Sequence, residues 1–357
     1  MNIKWLLAFI PIAIGLAWFD ANPLLIFAAS ALSIIPLAGL MGDATESLAR
    51  FLGPTLGGLL NASLGNAPEI IIGFFALKHG LVEMVKASIT GSILSNLLFG
   101  LGVSIIAGSM PTMRKKLTFD SQSARVQSGL LLMATFGLII PAAFDFSTSS
   151  EREISLEIAI ILFLVYLSSI AFTLMVGKPD DETNTNTLPD QSQANDQADA
   201  GWSRNQALGI LAAVTIALAV MSEIMTDSLD PAAKSMGFTP LFAGVFLLAL
   251  VGNTAELINS VRFARQNKMD LALGITVGGS TQMALLVAPL LVFFGLAIGQ
   301  NMNLLFSQFE LIAVILTTYA TLTLLQNGFV YWGAGVFLIA LYLMLGVGFY
   351  YAPSVAG

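Results

Sequence analysis

Long apolar stretches alternate with short polar breaks along the chain. Eleven of them fall at residues 3–19, 23–49, 55–77, 82–110, 123–144, 153–177, 204–229, 239–264, 269–299, 303–325 and 328–351. A membrane-crossing helix needs about 20 mainly apolar residues, so the pattern predicts an all-α polytopic protein with eleven transmembrane helices. The first stretch, Lys4 to Phe19, resembles a signal peptide, but no A-x-A-like cleavage site follows it, since Phe19 and Ala21 would flank the cut poorly. It is kept as a helix. One break stands apart: from Lys178 to Ser203 the chain places Asp180, Asp181, Glu182, Asp190, Asp196 and Asp199 among Asn, Gln, Thr and Ser. Such a segment cannot bury a core, so it predicts a disordered or loosely helical linker. It is either a solvated tether or a weak capture zone for cations.

Composition agrees. With 56% hydrophobic and 10% charged residues, the chain of 357 residues must satisfy its backbone within lipid. The 15 lysines and arginines orient it. With the N-terminus in the cytoplasm, that side collects Lys4, Arg50, Arg114, Lys115, Lys116, Arg125, Lys178, Arg204, Arg262, Arg265 and Lys268; the other side holds Lys78, Lys86, Arg152 and Lys234. The positive-inside rule supports this orientation and makes the acidic linker cytoplasmic. The formal charge of −7 says little, because much of the acid lies in the linker or inside apolar stretches. The absence of cysteine excludes disulfides and thiolate metal sites.

The two sides of the linker repeat each other. Placing Glu69 on Glu256 sets an offset of 187, under which Gly57 meets Gly244, Leu60 meets Leu247, Ala62 meets Ala249, and Gly65-Asn66 meet Gly252-Asn253. Upstream, Thr45-Glu46-Ser47-Leu48 matches Thr226-Asp227-Ser228-Leu229; downstream, Gly91-Ser92 matches Gly279-Ser280. The organisation expected is an N-terminal transmembrane helix at 1–21, a first five-helix repeat at 22–177, the acidic linker at 178–203 and a second five-helix repeat at 204–357. The motif helices are the third and the eighth, so five crossings separate them and they run in opposite directions. That is the inverted-topology repeat of secondary transporters, whose site lies near the midplane at the repeat interface.

The repeat carries the chemistry. Gly65-Asn66-Ala67-Pro68-Glu69 and Gly252-Asn253-Thr254-Ala255-Glu256 each put a glutamate, an asparagine and a glycine inside an apolar stretch, where a carboxylate is expensive and marks a site. Pro68 has no amide hydrogen, so the Leu64 carbonyl loses its helical partner, and Gly65 admits close backbone approach. Calcium takes 6 to 8 oxygen ligands from carboxylates, amides, backbone and water; Glu69, Glu256, Asn66 and Asn253, together with backbone and solvent, supply such a set. Ala255 stands where the first motif has Pro68, so the halves are not equivalent. The helices that follow carry Ser92 and Asn96, and Ser280 and Gln282. These four are either polar glue between helices or partners of the glutamates and the ion. Glu46, expected near the cytoplasmic face, and Glu223 and Asp227, expected near the opposite one, line the access path or are merely solvated. His79, the one histidine, reads as a surface residue. Gly53, Gly57 and the glycines from Gly100 to Gly108 read as close helix contacts.

The paired G-N-x-x-E motifs, the eleven-helix pattern and the acidic linker after the sixth helix resemble the calcium/proton exchanger family of the calcium/cation antiporter superfamily, over nearly the whole chain. The resemblance implies that Glu69 and Glu256 bind calcium and exchange protons, with Asn66 and Asn253 nearby, Gln282 in the matching polar position, and Glu46, Glu223 and Asp227 along the ion path. Sodium/calcium exchangers of the same superfamily are less similar, since they carry serine or threonine where Asn66 and Asn253 stand.

Two ionised glutamates in a low-dielectric cavity repel, so the empty site takes up protons, and calcium expels them. The loaded and the protonated site can cross, whereas an empty, doubly charged one cannot. The expectation is therefore a calcium/proton antiporter, not an enzyme, without cofactor, partnered by calcium, protons and the lipid bilayer, with room for a homo-oligomer and no role for nucleic acid. The setting expected is a prokaryotic inner membrane. The alternatives are a sodium-coupled calcium exchanger, a passive calcium channel and an intramembrane carboxylate hydrolase.

Overall fold

The computed structural model describes residues 3–110, 116–144, 151–176 and 202–353, and these are almost entirely helical. A 3-10 turn at Ile3–Ala8 leads into α1 (Phe9–Trp18). There follow α2 (Pro23–Leu64), α3 (Ala67–Lys78), α4 (Val82–Leu94), α5 (Leu101–Ser109), α6 (Ser121–Phe144), α7 (Glu151–Val176), α8 (Arg204–Ser235), α9 (Pro240–Phe242), α10 (Ala249–Arg265), α11 (Met269–Gln282), α12 (Ala288–Ile298), α13 (Gln308–Leu325) and α14 (Trp332–Tyr351). π-helical turns at Ser95–Gly100, Ala243–Leu248 and Met283–Val287 join α4 to α5, α9 to α10 and α11 to α12. Two short strands, β1 (Leu117–Thr118) and β2 (Phe329–Val330), pair antiparallel.

Among the described residues nine helices are long and apolar enough to cross a membrane, and they coincide with nine of the eleven predicted stretches. The polytopic all-α architecture is the one expected. The other two stretches differ for local reasons. The first is helical where predicted, through Trp18, but short of a full span: Asp20 turns the chain at φ 46° and Asn22 then caps the next helix, its Oδ1 accepting from Leu24 N at 2.9 Å with Pro23 in the first turn. The third has no single span. Gly53 adopts φ 78° and ψ 173°, so α2 bends there, and the helix stops again at Leu64. A Cβ at Gly53 would meet nothing within 4 Å, so this glycine serves the bend rather than a helix contact. The acidic linker lies outside the described residues apart from Trp202 and Ser203; Ser203 and Gln206 form a capping box that starts α8.

The chain forms two compact units, each drawing on both sides of the linker. In the unit made of residues 1–88, 192–255 and 294–302, α2 packs along α8, and α1 and α3 complete the group. Ile34, Met41, Ala44, Leu218, Met221 and Met225 are buried there. The upstream repeat is visible in its burial: Thr45, Ser47 and Leu48 are buried, as are Thr226, Ser228 and Leu229, whereas Glu46 and Asp227 turn outward. The matched Gly57 and Gly244 are both tightly packed: an added Cβ would lie 2.5 Å from the Ala49 carbonyl oxygen and 2.5 Å from that of Met84.

In the unit made of residues 89–191, 256–293 and 303–357, α5 packs on α14 through Gly102 and Gly335; a Cβ on either would meet the other's carbonyl oxygen, at 2.9 and 2.5 Å. α6 packs against α11 and α13, and α13 also touches the π turn Ser95–Gly100. β1 leads into α6 and β2 follows α13, so their pairing makes these two helices antiparallel.

Candidate functional site

The first motif lies at a gap between helices. Pro68 cannot donate to Leu64, and α2 ends with Gly65 as its C-cap while α3 restarts after Asn66, at φ −101° and ψ 16°, with Pro68 in its first turn. The sequence suggested one freed carbonyl within a continuous third helix; the helix is interrupted instead. Glu69 falls in the first turn of α3, where the helix dipole favours a carboxylate. It is 8% exposed and Asn66 is 1% exposed. Gly252 of α10 stands beside it: a Cβ there would lie 3.4 Å from Glu69 Cγ and 3.6 Å from Oε1. Asn253, the next residue, is buried in the same unit.

The second motif lies inside a continuous helix, because Ala255 replaces Pro68 and the hydrogen-bond ladder of α10 runs through. Glu256 is held from the side. Its Oε2 accepts from Asn96 Nδ2 at 2.7 Å, and a Cβ on Gly279 would fall 3.0 Å from Oε2 and 3.2 Å from Oε1. Asn96 sits in the π turn that begins at Ser95, and Gln282 immediately precedes the π turn that begins at Met283. Under the register that places Gly91 on Gly279, these two turns start at the same point of the repeat. Such turns cluster at functional sites. Ser280 spends its hydroxyl on the Thr276 carbonyl at 2.8 Å, and the carbonyl of the buried Ser92 accepts from Ser95 Oγ at 3.2 Å.

Each motif thus supplies a glutamate faced by a glycine of another helix, with buried amides beside it. The chain matches the sequence pattern of the family described as "Sodium/calcium exchanger protein" over residues 22–175 and 206–351. It is 39% identical over 367 aligned positions to the "Ca(2+)/H(+) antiporter" of Aphanothece halophytica, covering 98% of this chain and 96% of that one. The "Ca(2+)/H(+) antiporter ChaA" of Bacillus subtilis (strain 168) is 37% identical, with 91% and 92% covered. The chain belongs to the sodium/calcium exchanger protein family, among its calcium/proton exchangers. The solved structure of native YfkE superposes with a TM-score of 0.83 at 33% identity, covering 98% of this chain and 100% of that one.

In this exchanger two of the three acids expected along the access path, Glu46 and Glu223, are paired with a basic side chain, and Asp227 stands near His79. Glu46 accepts from Arg50 at 3.2 Å, one turn away. Glu223 and Asp227, one turn apart on α8, meet the end of α3: Lys78 Nζ lies 2.6 Å from Glu223 and His79 Nδ1 lies 3.6 Å from Asp227. His79 is 27% exposed at its side chain, in keeping with a surface position. Glu310, which sequence reasoning did not single out, is 3% exposed. Its Oε2 accepts from Ser307 N at 2.8 Å and Ser307 Oγ at 2.7 Å, and its Oε1 from Thr90 at 3.2 Å. The signal was present as Ser307-x-x-Glu310, a capping-box spacing at the start of an apolar stretch.

Proposed function

We propose that this protein is a secondary active antiporter that exchanges calcium for protons across a membrane, with Glu69 and Glu256 as the groups that take up either. The observation that carries this reading is the recurrence of one arrangement: a motif glutamate within membrane helices, a glycine of another helix against it, and buried amides nearby. The full-length relatives named as calcium/proton antiporters give the ions. Asn66 and Asn253, backbone freed at the gap before α3, and water complete an oxygen shell for a hard cation. Calcium neutralises the two carboxylates and displaces their protons; the reverse happens where protons are plentiful, and only the neutralised forms change access.

The inverted repeat, with halves at 22–177 and 204–357, supplies the alternating access in this reading. Contacts inside each unit support the crossing count behind it. β1 and β2 join loops that six predicted crossings separate, and Lys78 meets Glu223 across four, so each pair belongs on one face. The orientation follows from the lysine and arginine count, with the N-terminus and acidic linker cytoplasmic and a prokaryotic inner membrane as host. Glu46, Glu223 and Asp227 flank the approaches, the first two as paired acids rather than as bare ligands.

The test is calcium uptake into liposomes holding the purified protein, driven by a pH gradient alone, with manganese and sodium as competitors. Uptake without sodium is expected. Uptake that needs a sodium gradient would favour the sodium-coupled reading, and flux that needs no counter-ion would favour a channel.

A further inference from the structure

The packed pair α6 and α13 carries buried polar groups for which the motif residues give no reason. Thr135 and Thr318 hydrogen-bond across it at 3.0 Å. From there toward the β1–β2 end, Thr321 follows on α13 and Gln127 on α6. Thr317 and Thr321 are fully buried and Gln127 is 4% exposed, and Thr317 Oγ1, Thr321 Oγ1 and Gln127 Oε1 have no hydrogen-bond partner in the protein. Buried threonines in helices ordinarily bond the carbonyl four residues back, as Thr135, Thr276 and Thr281 do here at 2.9 Å. Thr317 and Thr321 do not.

In a membrane interior such oxygens are costly unless something bonds them, and buried water with two to four polar partners is the usual remedy. Gln127 lies eight residues from Thr135, about 12 Å along the helix, which nearly covers the half-thickness of a hydrocarbon core of about 30 Å. α13 also packs on the π turn that carries Asn96, the donor to Glu256. The outer end of this row lies toward the β1–β2 pair, where Lys116 covers the Phe329 ring and Asp120 N donates to Asp270. α6 has no carboxylate, and Glu310, the acid of α13, lies toward the opposite end. Neutral hydroxyl and amide groups suit water and the proton it relays; a divalent cation would find no charge to replace its hydration.

We propose that the α6–α13 interface binds a file of ordered water that conducts protons between the β1–β2 face and the Glu256 region, separately from the cation path. The proposal rests on the antiport reading, and two assays separate their failures: pH-driven uptake of radiolabelled calcium, and exchange of radiolabelled for unlabelled calcium at equal pH on both sides. Thr317→Val with Thr321→Val, and separately Gln127→Leu, should cut pH-driven uptake by about tenfold or more while calcium self-exchange stays within about twofold of wild type, as expected for a severed proton relay. Thr317→Ser with Thr321→Ser should restore pH-driven uptake. Wild-type rates in the valine variant, with a raised thermal midpoint, would show a dry interface and overturn the proposal. So would an equal fall in both assays that serine does not rescue, which marks a structural tie. Calcium self-exchange by the unaltered protein without any pH-driven uptake would overturn the antiport reading, and the route with it.

Discussion

Gly279 packs tightly beside Glu256: a methyl group there would lie 3.0 Å from Oε2 and 3.1 Å from Asn96 Nδ2, so the carboxylate or the amide would have to shift. Gly279→Ala should push the carboxylate aside and lower exchange about tenfold or more, at a stability cost of about 1–3 kcal/mol typical of overpacking. In Gly252→Ala the methyl would stand 3.6 Å from Glu69 Oε1, an ordinary contact. That variant should fold like wild type and shift apparent calcium affinity only a few-fold, by about 1 kcal/mol or less. Initial uptake rates at varied calcium distinguish the two.

Glu69→Gln and Glu256→Gln should each abolish pH-driven exchange while leaving the protein folded, since an amide keeps the volume but neither balances calcium nor carries a proton. Full uptake in either variant would remove that glutamate from the mechanism.

Asn96→Ala deletes a donor to Glu256. A hydrogen bond to a charged group is worth about 1.5–3 kcal/mol, so apparent affinity should fall by about 10- to 100-fold. Asn66→Ala and Asn253→Ala should weaken transport less, because water replaces a single neutral ligand. Calcium titrations of the three variants give the ranking, and unchanged affinity in the last two would make those asparagines structural.

The native chain has no cysteine, so single cysteines are readable. Cysteines at Lys78, the last residue of α3, and at Lys268, just beyond α10, should react with an impermeant thiol reagent from opposite faces, Lys78→Cys from outside. Reaction of both from one face would break the five-crossing count and the inverted repeat with it.

Asp120 lies outside the spanning helices and caps α6. The Ser123 amide, at 2.7 Å, is the main reason its carboxyl titrates below the usual range, with Gln122 N at 3.4 Å adding to it. A folded pKa below the unfolded value of about 3.9 stabilises above that value, and the gain is lost as pH falls through the folded pKa. Asp120→Ala should therefore lower stability at neutral pH by at most about 1 kcal/mol, because the cap is exposed. The difference should begin to shrink as pH falls below about 4 and vanish only below the folded pKa, as thermal melts across pH can show.

How far the chain could be read in advance depended on how local the cause was. Apolar stretches and caps such as Asn22 and Ser203 follow from neighbouring residues, and nine spans emerged where the pattern placed them. The gap at Gly65-Asn66 was signalled by Pro68, but whether a helix bends, loses one bond or stops depends on what packs around it. The π turns at Ser95 and Met283 have no composition of their own, so only the structure reveals them. The motif glutamates were legible because a charge in an apolar stretch needs a reason. Their glycine neighbours, and the pairing of Lys78 with Glu223 across 145 positions, were hidden because long-range contacts decide them.

Glu69 stands nine residues before Lys78, and Glu256 nine residues before Arg265, the basic ends of α3 and α10. At about 1.5 Å per residue each carboxylate is about 14 Å from its helix end, close to half of a hydrocarbon core of about 30 Å. In the exchange proposed above, about half of the membrane voltage has dropped at that depth. A charge crossing the whole membrane gains or loses about 2.3 kcal/mol per 100 mV, so a divalent ion does about that same electrical work in travelling from either face to the carboxylates. Membrane potential then weighs equally on loading and on release, and neither step alone becomes the voltage-sensitive one.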